Sequence, residues 1–310
     1  MNTNGQPRFS FYNNNSLKHK PSGNSNWYNF HMNVEKVISK LKKEYPGKAI
    51  FKNYEENTTE ILCEIDPSSE HPEHSNTVAI IDKSIPHIHY KTRETYKVTK
   101  GKLTLQVGKE VIELKEGESC VIRPGNAHWA EGNETWIECY SEPGWALEDH
   151  ISADNKDKLP YRLGVYAFVL NQNKDSILMV LKKNSGVWDC PGGGIDEGET
   201  PEEAVKRELL EELSTDRFEV LHKSSHIYSY DWPLKEIEKN IKKSGKFMRG
   251  QEQRFVILSF TGAESDISLQ DEELAEYKWV KLKELGDYMA YPDFYEHIQK
   301  VFNEFGVKIT

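Results

Sequence analysis

No apolar run in this 310-residue chain approaches the roughly 20 residues a membrane-spanning helix needs. The longest candidate, residues 163–170, has the length of a buried strand. The opening segment has no apolar core either, so it is not a secretory signal, and its Asn, Ser and Lys without periodicity predict a mobile tail over 1–33. Cysteine is scarce: Cys63, Cys120, Cys139 and Cys190 form no CXXC pair. Without a secretory signal they read as reduced core thiols, which excludes a disulfide framework. A broad basic surface is lacking as well. The net charge of −10 disfavours general nucleic-acid binding. There is no internal repeat. What remains is a cytoplasmic chain long enough for two domains.

The most informative segment runs from Gly193 to Glu212. Gly192, Gly193 and Gly194 lead into a loop holding Gly198 and Glu199, and a helix follows. Thr200 can cap that helix, Pro201 suits its first turn, and Glu203 completes a Thr-x-x-Glu capping box. On the helix, Glu208, Glu211 and Glu212 stand at i, i+3 and i+4 and share one face. Adjacent carboxylates repel one another, and a divalent cation resolves the repulsion; Mg²⁺ takes such oxygens while keeping substrate phosphates in its shell. A neighbouring stripe of Val205, Leu209 and Leu213 gives the helix a face to bury. An ordinary acidic surface helix would explain the carboxylates but not the glycines ahead of them.

Gly193, Glu199, Arg207, Glu208, Glu211 and Glu212 fall at the spacing of the Nudix box, GX5EX7REUXEEXGU. The resemblance implies hydrolysis of a nucleoside diphosphate linkage with Mg²⁺ or Mn²⁺ on Glu208, Glu211 and Glu212, and Arg207 paired with Glu199 to fix the loop. The box departs from the pattern at its end, where Ser214 replaces Gly and Thr215 an apolar residue. A left-handed helix terminus there would cost about 1 kcal/mol with Ser. The rest of 161–310 resembles an α/β/α Nudix sandwich. Within the family it is most similar to the RNA pyrophosphohydrolase and dinucleoside polyphosphate hydrolase branch. The matching residues are Trp188, the Tyr230–Pro233 run, and Arg249, Gln251, Gln253 and Arg254, with Glu273 matching an additional metal-site or base glutamate. The resemblance implies substrate contacts at Trp188, Arg249, Gln251, Gln253 and Arg254. Lys235, Lys239, Lys242, Lys243 and Lys246 add a local positive stretch that would steer a polyphosphate or belong to a solvated helix.

Upstream, short segments rich in β-branched residues and separated by Gly-containing turns predict a barrel or sandwich. His87, His89, Glu94 and Gly101 reproduce the first cupin motif, HXHX4EX6G, and Gly117 to His128 resembles the second. In the latter, Arg123 replaces a proline and Gly132 an asparagine. His87 and His89, two apart on a strand, face one side. The resemblance implies that Glu94 and His128 complete their site for Fe, Mn, Zn or Ni.

The chain therefore reads as an all-β cupin barrel followed by an α/β/α Nudix sandwich. The expected boundaries are a tail over 1–33, a helix plus barrel over 34–145, a linker over 146–160 and the hydrolase over 161–310. The expected activity is cleavage of a nucleotide polyphosphate, either a dinucleoside polyphosphate or a 5′-triphosphorylated RNA end. The alternatives are a nucleotide-sugar or ADP-ribose pyrophosphatase with a sugar-isomerase-like cupin, and a cupin sensor in which Arg123 meets an anionic effector. Edge strands of the barrel also allow a homodimer.

Overall fold

A computed structural model describes residues 32–269, 273–289 and 292–309. Residues 1–31, most of the expected tail, lie outside the described residues. The chain divides into two compact units. The first runs to Leu159 and also takes in Pro233–Phe247; the second comprises Pro160–Trp232 and Met248–Thr310. No helix among the described residues is long and apolar enough to cross a membrane.

The first unit opens with helix α1 (Val34–Glu44), capped by Asn33, whose Oδ1 accepts from Lys36 N. Strands follow as β1 (Ile50–Lys52), β2 (Glu60–Asp66), β3 (Ser75–Lys83), β4 (His87–Ile88), β5 (Arg93–Lys100), β6 (Lys102–Val107), β7 (Glu110–Lys115), β8 (Ser119–Ile122), β9 (His128–Glu142) and β10 (Ile151–Ser152). They form one ten-stranded curled sheet, the expected barrel, with β9 pairing in turn to β3, β4, β5 and β6. The departure at Gly132 has a local cause. A side chain there would stand 2.8 Å from Ile81 O and 2.5 Å from Thr135 Oγ1, where the sheet register shifts. Alternation along β2 divides its residues between two faces. Ile61 and Cys63 pack with Val37 and Leu41 of α1, while Glu60, Leu62, Glu64 and Asp66 face the barrel interior. Burial of Val37 and Leu41 contributes about 1.5–3 kcal/mol each.

Residues 146–159, expected as linker, are tied to the barrel. The Asp149 carboxylate accepts the backbone N–H groups of Tyr90, Lys91 and Thr92 at 3.0, 3.0 and 2.9 Å. Strand β10 pairs with β4, Ser152 opposite His87. Pro-Gly, Asp and Asn supply turn chemistry in an ordered segment as readily as in a linker.

The second unit is built from β11 (Tyr161–Leu170), β12 (Ser176–Lys182), β13 (Trp188–Asp189), β14 (Gly192–Gly194), α2 (Pro201–Leu213), β15 (Phe218–Lys223) and β16 (Tyr228–Asp231). After the excursion through α3 (Leu234–Ser244) come β17 (Gly250–Phe260), β18 (Leu274–Lys281) and α4 (Pro292–Glu304). Strands β11 and β17 run parallel at the centre of an eight-stranded mixed sheet. Both faces are covered, which explains the nearly continuous apolar run of β11. Val205, Leu209 and Leu213 of α2 pack on one face, and Phe294, Ile298 and Phe302 of α4 on the other. This is the expected α/β/α sandwich. Helix α3 buries Ile237 and Ile241 within the first unit, where Glu238 bridges Lys83 at 2.8 Å and Lys242 lies over Trp129.

Candidate active site and metal centre

Helix α2 begins as its sequence dictates. Thr200 Oγ1 accepts from Glu203 N, and Glu203 Oε2 accepts from Thr200 N at 2.8 Å, the complete capping box. Its far end is Ser214 at φ 56°, the left-handed terminus where the box pattern wants glycine. Arg207 grips Glu199 with both Nε and Nη2 at 2.9 Å, donates to Gly194 O at 2.8 Å, and holds Glu208 Oε1 at 2.8 Å through Nη1. The same Nη1 stands 3.6 Å from Glu211 Oε2. One guanidinium thus ties loop, strand and acidic face together. Glu208 packs so closely on Gly193 that a side chain at 193 would stand 2.2 Å from its carboxyl carbon.

Glu212 is the buried member of the acidic face. Its carboxylate accepts Gly192 N and Lys182 Nζ, each at 3.1 Å, and burial pushes its pKa up despite both partners. Glu211 is exposed. The carboxylates of Glu199, Glu208, Glu211 and Glu212 meet two cations, Arg207 and Lys182. Two negative charges are left over, the complement of a divalent cation, so the donor set fits one. Glu273 precedes β18, and its carbonyl accepts Lys183 N at 2.7 Å, one residue from the lysine that holds Glu212.

Seven residues, Trp188 to Gly194, link this face to a cleft of about 340 Å³ walled by Tyr166, Trp188, Asp189, Tyr228, Tyr230 and Phe294. Lys278 Nζ sits 3.9 Å from the Trp188 ring. Gln251 and Gln253 lie on the β17 face that carries Phe255; Tyr230 donates to Gln251 Oε1 at 3.0 Å, and Gln253 is buried against Gly164. Arg254 points to the opposite face and bridges Glu252 at 2.6 Å. Arg249 bonds Asp231 at 2.7 Å and lies over the Tyr161 ring. The five expected substrate residues are therefore not gathered in one place: Trp188, Gln251 and Gln253 stand on the cleft side and Arg254 does not. The expected positive stretch is divided: Lys235 to Lys246 belong to α3 and its C-terminal turn in the first unit, and Arg249 and Arg254 to this one.

The first unit gathers His87, His89, Glu94 and His128 as expected. His87 Nδ1 faces Ile85 O at 2.8 Å, and His128 Nδ1 faces Asn126 O at 3.0 Å. Each ring's proton goes to a backbone carbonyl, so the Nε2 lone pairs point inward. There they meet the Glu94 carboxylate, at 3.8 Å from His87 and 2.9 Å from His128. Two imidazole nitrogens and a carboxylate thus converge on one buried point, a donor set that a cation can occupy. Burial would raise the Glu94 pKa, but His128 and His87 outweigh it and hold it well below the ordinary value. Burial takes His89 down to about 4 and lowers His128, so both rings are neutral, the form that ligates metal. The donors fit a divalent transition metal.

Residues 160–304 match the NUDIX domain and residues 76–136 the Cupin domain. An RNA pyrophosphohydrolase of Pelagibacter ubique is 35% identical over 155 residues, covering 49% of this chain and 95% of that protein. The chain belongs to the Nudix family. An RNA pyrophosphohydrolase of Gluconacetobacter diazotrophicus is 39% identical over 141 residues, 42% of this chain and 82% of that protein. Among solved structures, the E. coli dihydroneopterin triphosphate pyrophosphohydrolase aligns at 16% identity and a TM-score of 0.38, over 46% of this chain and 99% of that one. Nudix and cupin families generally bind divalent metals.

Four residues near the two sites were not singled out by the sequence. In the Nudix unit, Lys182 ends a strand of apolar residues and reads as its solvent-exposed terminus. In the cupin unit, His150 lies beyond both motifs, yet its ring is 4.7 Å from His87 and stacked 5.2 Å from His89. Its Nε2 is buried with no hydrogen-bond partner, and it forms a second possible ligand trio with His87 and His89. Asp149 Oδ2 stands 3.4 Å from His89 Nδ1, placed to orient that ring from behind. Burial outweighs the nearby His87 in Glu60 and raises its pKa to about 7. The one available signal for His150 was its adjacency to Asp149 in an otherwise polar stretch. Arg123 is exposed in the turn before β9 and is not among the residues lining the barrel interior.

Proposed function

We propose that this chain, a Nudix hydrolase of phosphoric anhydride bonds, cleaves a nucleotide polyphosphate linkage in a dinucleoside polyphosphate or a 5′-triphosphorylated RNA end. The observation that carries the reading is the acidic face of α2, fixed by Arg207 and left two charges short of neutrality. Relatives named RNA pyrophosphohydrolase support the branch, and the aromatic cleft beside the box suits a nucleobase. Glu208, Glu211 and Glu212, with Glu273 at the neighbouring strand end, would hold Mg²⁺ or Mn²⁺. Such an ion neutralises the bridging phosphates and lowers the pKa of a water.

The protein's own groups do the rest. Arg207 and Gly193 set the position of Glu208; Lys182 and Gly192 N set that of Glu212. Water adds to phosphorus, the bridging P–O bond breaks, and the water's proton passes to Glu212 or Glu273. Burial favours the protonated form of Glu212, which suits it to take a proton. Trp188, Tyr228 and Tyr230 offer faces to a base, and Gln251 adds an amide at the cleft edge. In the first unit, His87, His89, Glu94 and His128, with His150, would hold Fe, Mn, Zn or Ni.

The test is product release with Mg²⁺ on dinucleoside polyphosphates, 5′-triphosphorylated RNA, ADP-ribose and nucleotide sugars, with Glu211→Gln as the blank. Preference for the first two supports the reading. Preference for the sugar-linked substrates, or wild-type turnover in Glu211→Gln, overturns it.

A further inference from the structure

The barrel interior is a cavity of about 110 Å³ whose floor is the histidine cluster. Its charge is set by β2. Glu60, Leu62, Glu64 and Asp66 occupy alternate positions, so all four side chains line the cavity on one face. Glu94 adds a fourth carboxylate. Lys52 is the only Lys or Arg among the lining residues, and its Nζ is already bonded to Glu55 at 2.5 Å. Asp66 is engaged by His71 and His74 at 3.2 and 2.9 Å, which leaves Glu60 and Glu64 as acceptors along the wall. A phosphate entering here would meet the carboxylates of β2, with the Glu55-paired Lys52 the one Lys or Arg on the lining. A divalent ion at the histidines offsets two of the charges, and with Glu60 raised to about 7 the remaining negative charge of the wall sits at Glu64 and Asp66.

Surplus acceptors call for a ligand that brings donors. Hydroxyl groups do so without adding negative charge, and the C–H faces of a polyol can lie on Phe51, Leu62 and Trp145, which line the same cavity. We propose that the barrel is a binding site for a small polyhydroxylated molecule without phosphate, a free sugar or polyol, bound over the histidine cluster and hydrogen-bonded by Glu60 and Glu64. The same wall excludes phosphorylated sugars, the ligands a sugar-phosphate isomerase would need. It also separates the two units chemically: one is built for polyphosphates and the other rejects them.

The experiment is calorimetric titration of the zinc-loaded full-length chain carrying Glu211→Gln, so that hydrolysis contributes no heat. Ribose, glucose and glycerol are compared with ribose 5-phosphate, glucose 6-phosphate and glycerol 3-phosphate. At least one uncharged member should bind roughly ten-fold or more tighter than its phosphate ester, as Coulomb repulsion from the wall requires. That heat should disappear in His87→Ala and in His150→Ala, which places it in the barrel. Glu64→Lys, at a residue that ligates nothing, should improve phosphate-ester binding roughly ten-fold. Equal or tighter binding of the phosphate esters to the parent chain overturns the proposal. Absence of binding by every uncharged member, or an unchanged phosphate preference in Glu64→Lys, also overturns it.

Discussion

Substituting Gly193 by alanine tests the acidic face without removing any of its charges. The added methyl would lie 2.2 Å from the Glu208 carboxyl carbon and 2.3 Å from both its oxygens. Carbon atoms in ordinary contact stand at least about 3.5 Å apart, so the carboxylate must retreat by roughly 1.3 Å. If the retreat breaks the 2.8 Å bond to Arg207 Nη1, the added cost to stability is about 1 kcal/mol. A displacement near 1 Å at a catalytic group lowers turnover on the order of 100-fold, about 2.7 kcal/mol of transition-state stabilisation. The assay is steady-state kcat/KM with Mg²⁺ on the preferred nucleotide, with a thermal melt to establish folding. Pairing the change with Glu208→Asp separates sterics from misfolding: the shorter side chain withdraws from the methyl, so the two losses should be less than additive. A folded Gly193→Ala enzyme within a factor of about three of wild type would refute the claim that this contact positions Glu208.

Two further outcomes follow from the same geometry. Ser214→Gly should stabilise the second unit by about 1 kcal/mol in chemical denaturation, because the residue already sits at φ 56°; a loss of stability would show that the Ser214 side chain makes a compensating contact. Burial raises the Glu304 pKa, but bonds from Ser224, Ser225 and His222 outweigh it and hold the carboxyl at about 2, below its ordinary 4.5. Its contribution is therefore fully present above pH 4.5 and lost as pH falls toward 2, so Glu304→Gln should flatten the acid dependence of stability in that window. Identical slopes for the two proteins in urea titrations at pH 5 and pH 3 would contradict it.

The Nudix box and both cupin motifs were legible because each rests on local periodicity. The capping box, the shared face of Glu208, Glu211 and Glu212, and the paired orientation of His87 and His89 all depend on residues a few positions apart. Lys182, Asp149 and His150 were not legible. Lys182 meets Glu212 across 30 positions, and Asp149 reaches backbone N–H groups 57 to 59 positions away. Such pairings exist only once the sheet has brought the segments together. The linker expectation for 146–160 failed for the same reason, since turn-rich composition does not say whether the turns dock. The acidic side of β2 was plain as alternation, but alternation alone leaves open which face is inside, and here the face bearing carboxylates lines the cavity.

Helix α3 gives the excursion at Pro233–Phe247 a consequence for how the gene can be cut. The chain leaves the second unit at Trp232 and rejoins it at Met248, so no single break yields two intact halves. A fragment starting at Pro160 would carry Ile237 and Ile241 without the rest of their unit, and a fragment ending at Leu159 would lose Glu238 and leave Lys83 only Glu131. Truncation or domain exchange must therefore carry Pro233–Phe247 together with the first unit.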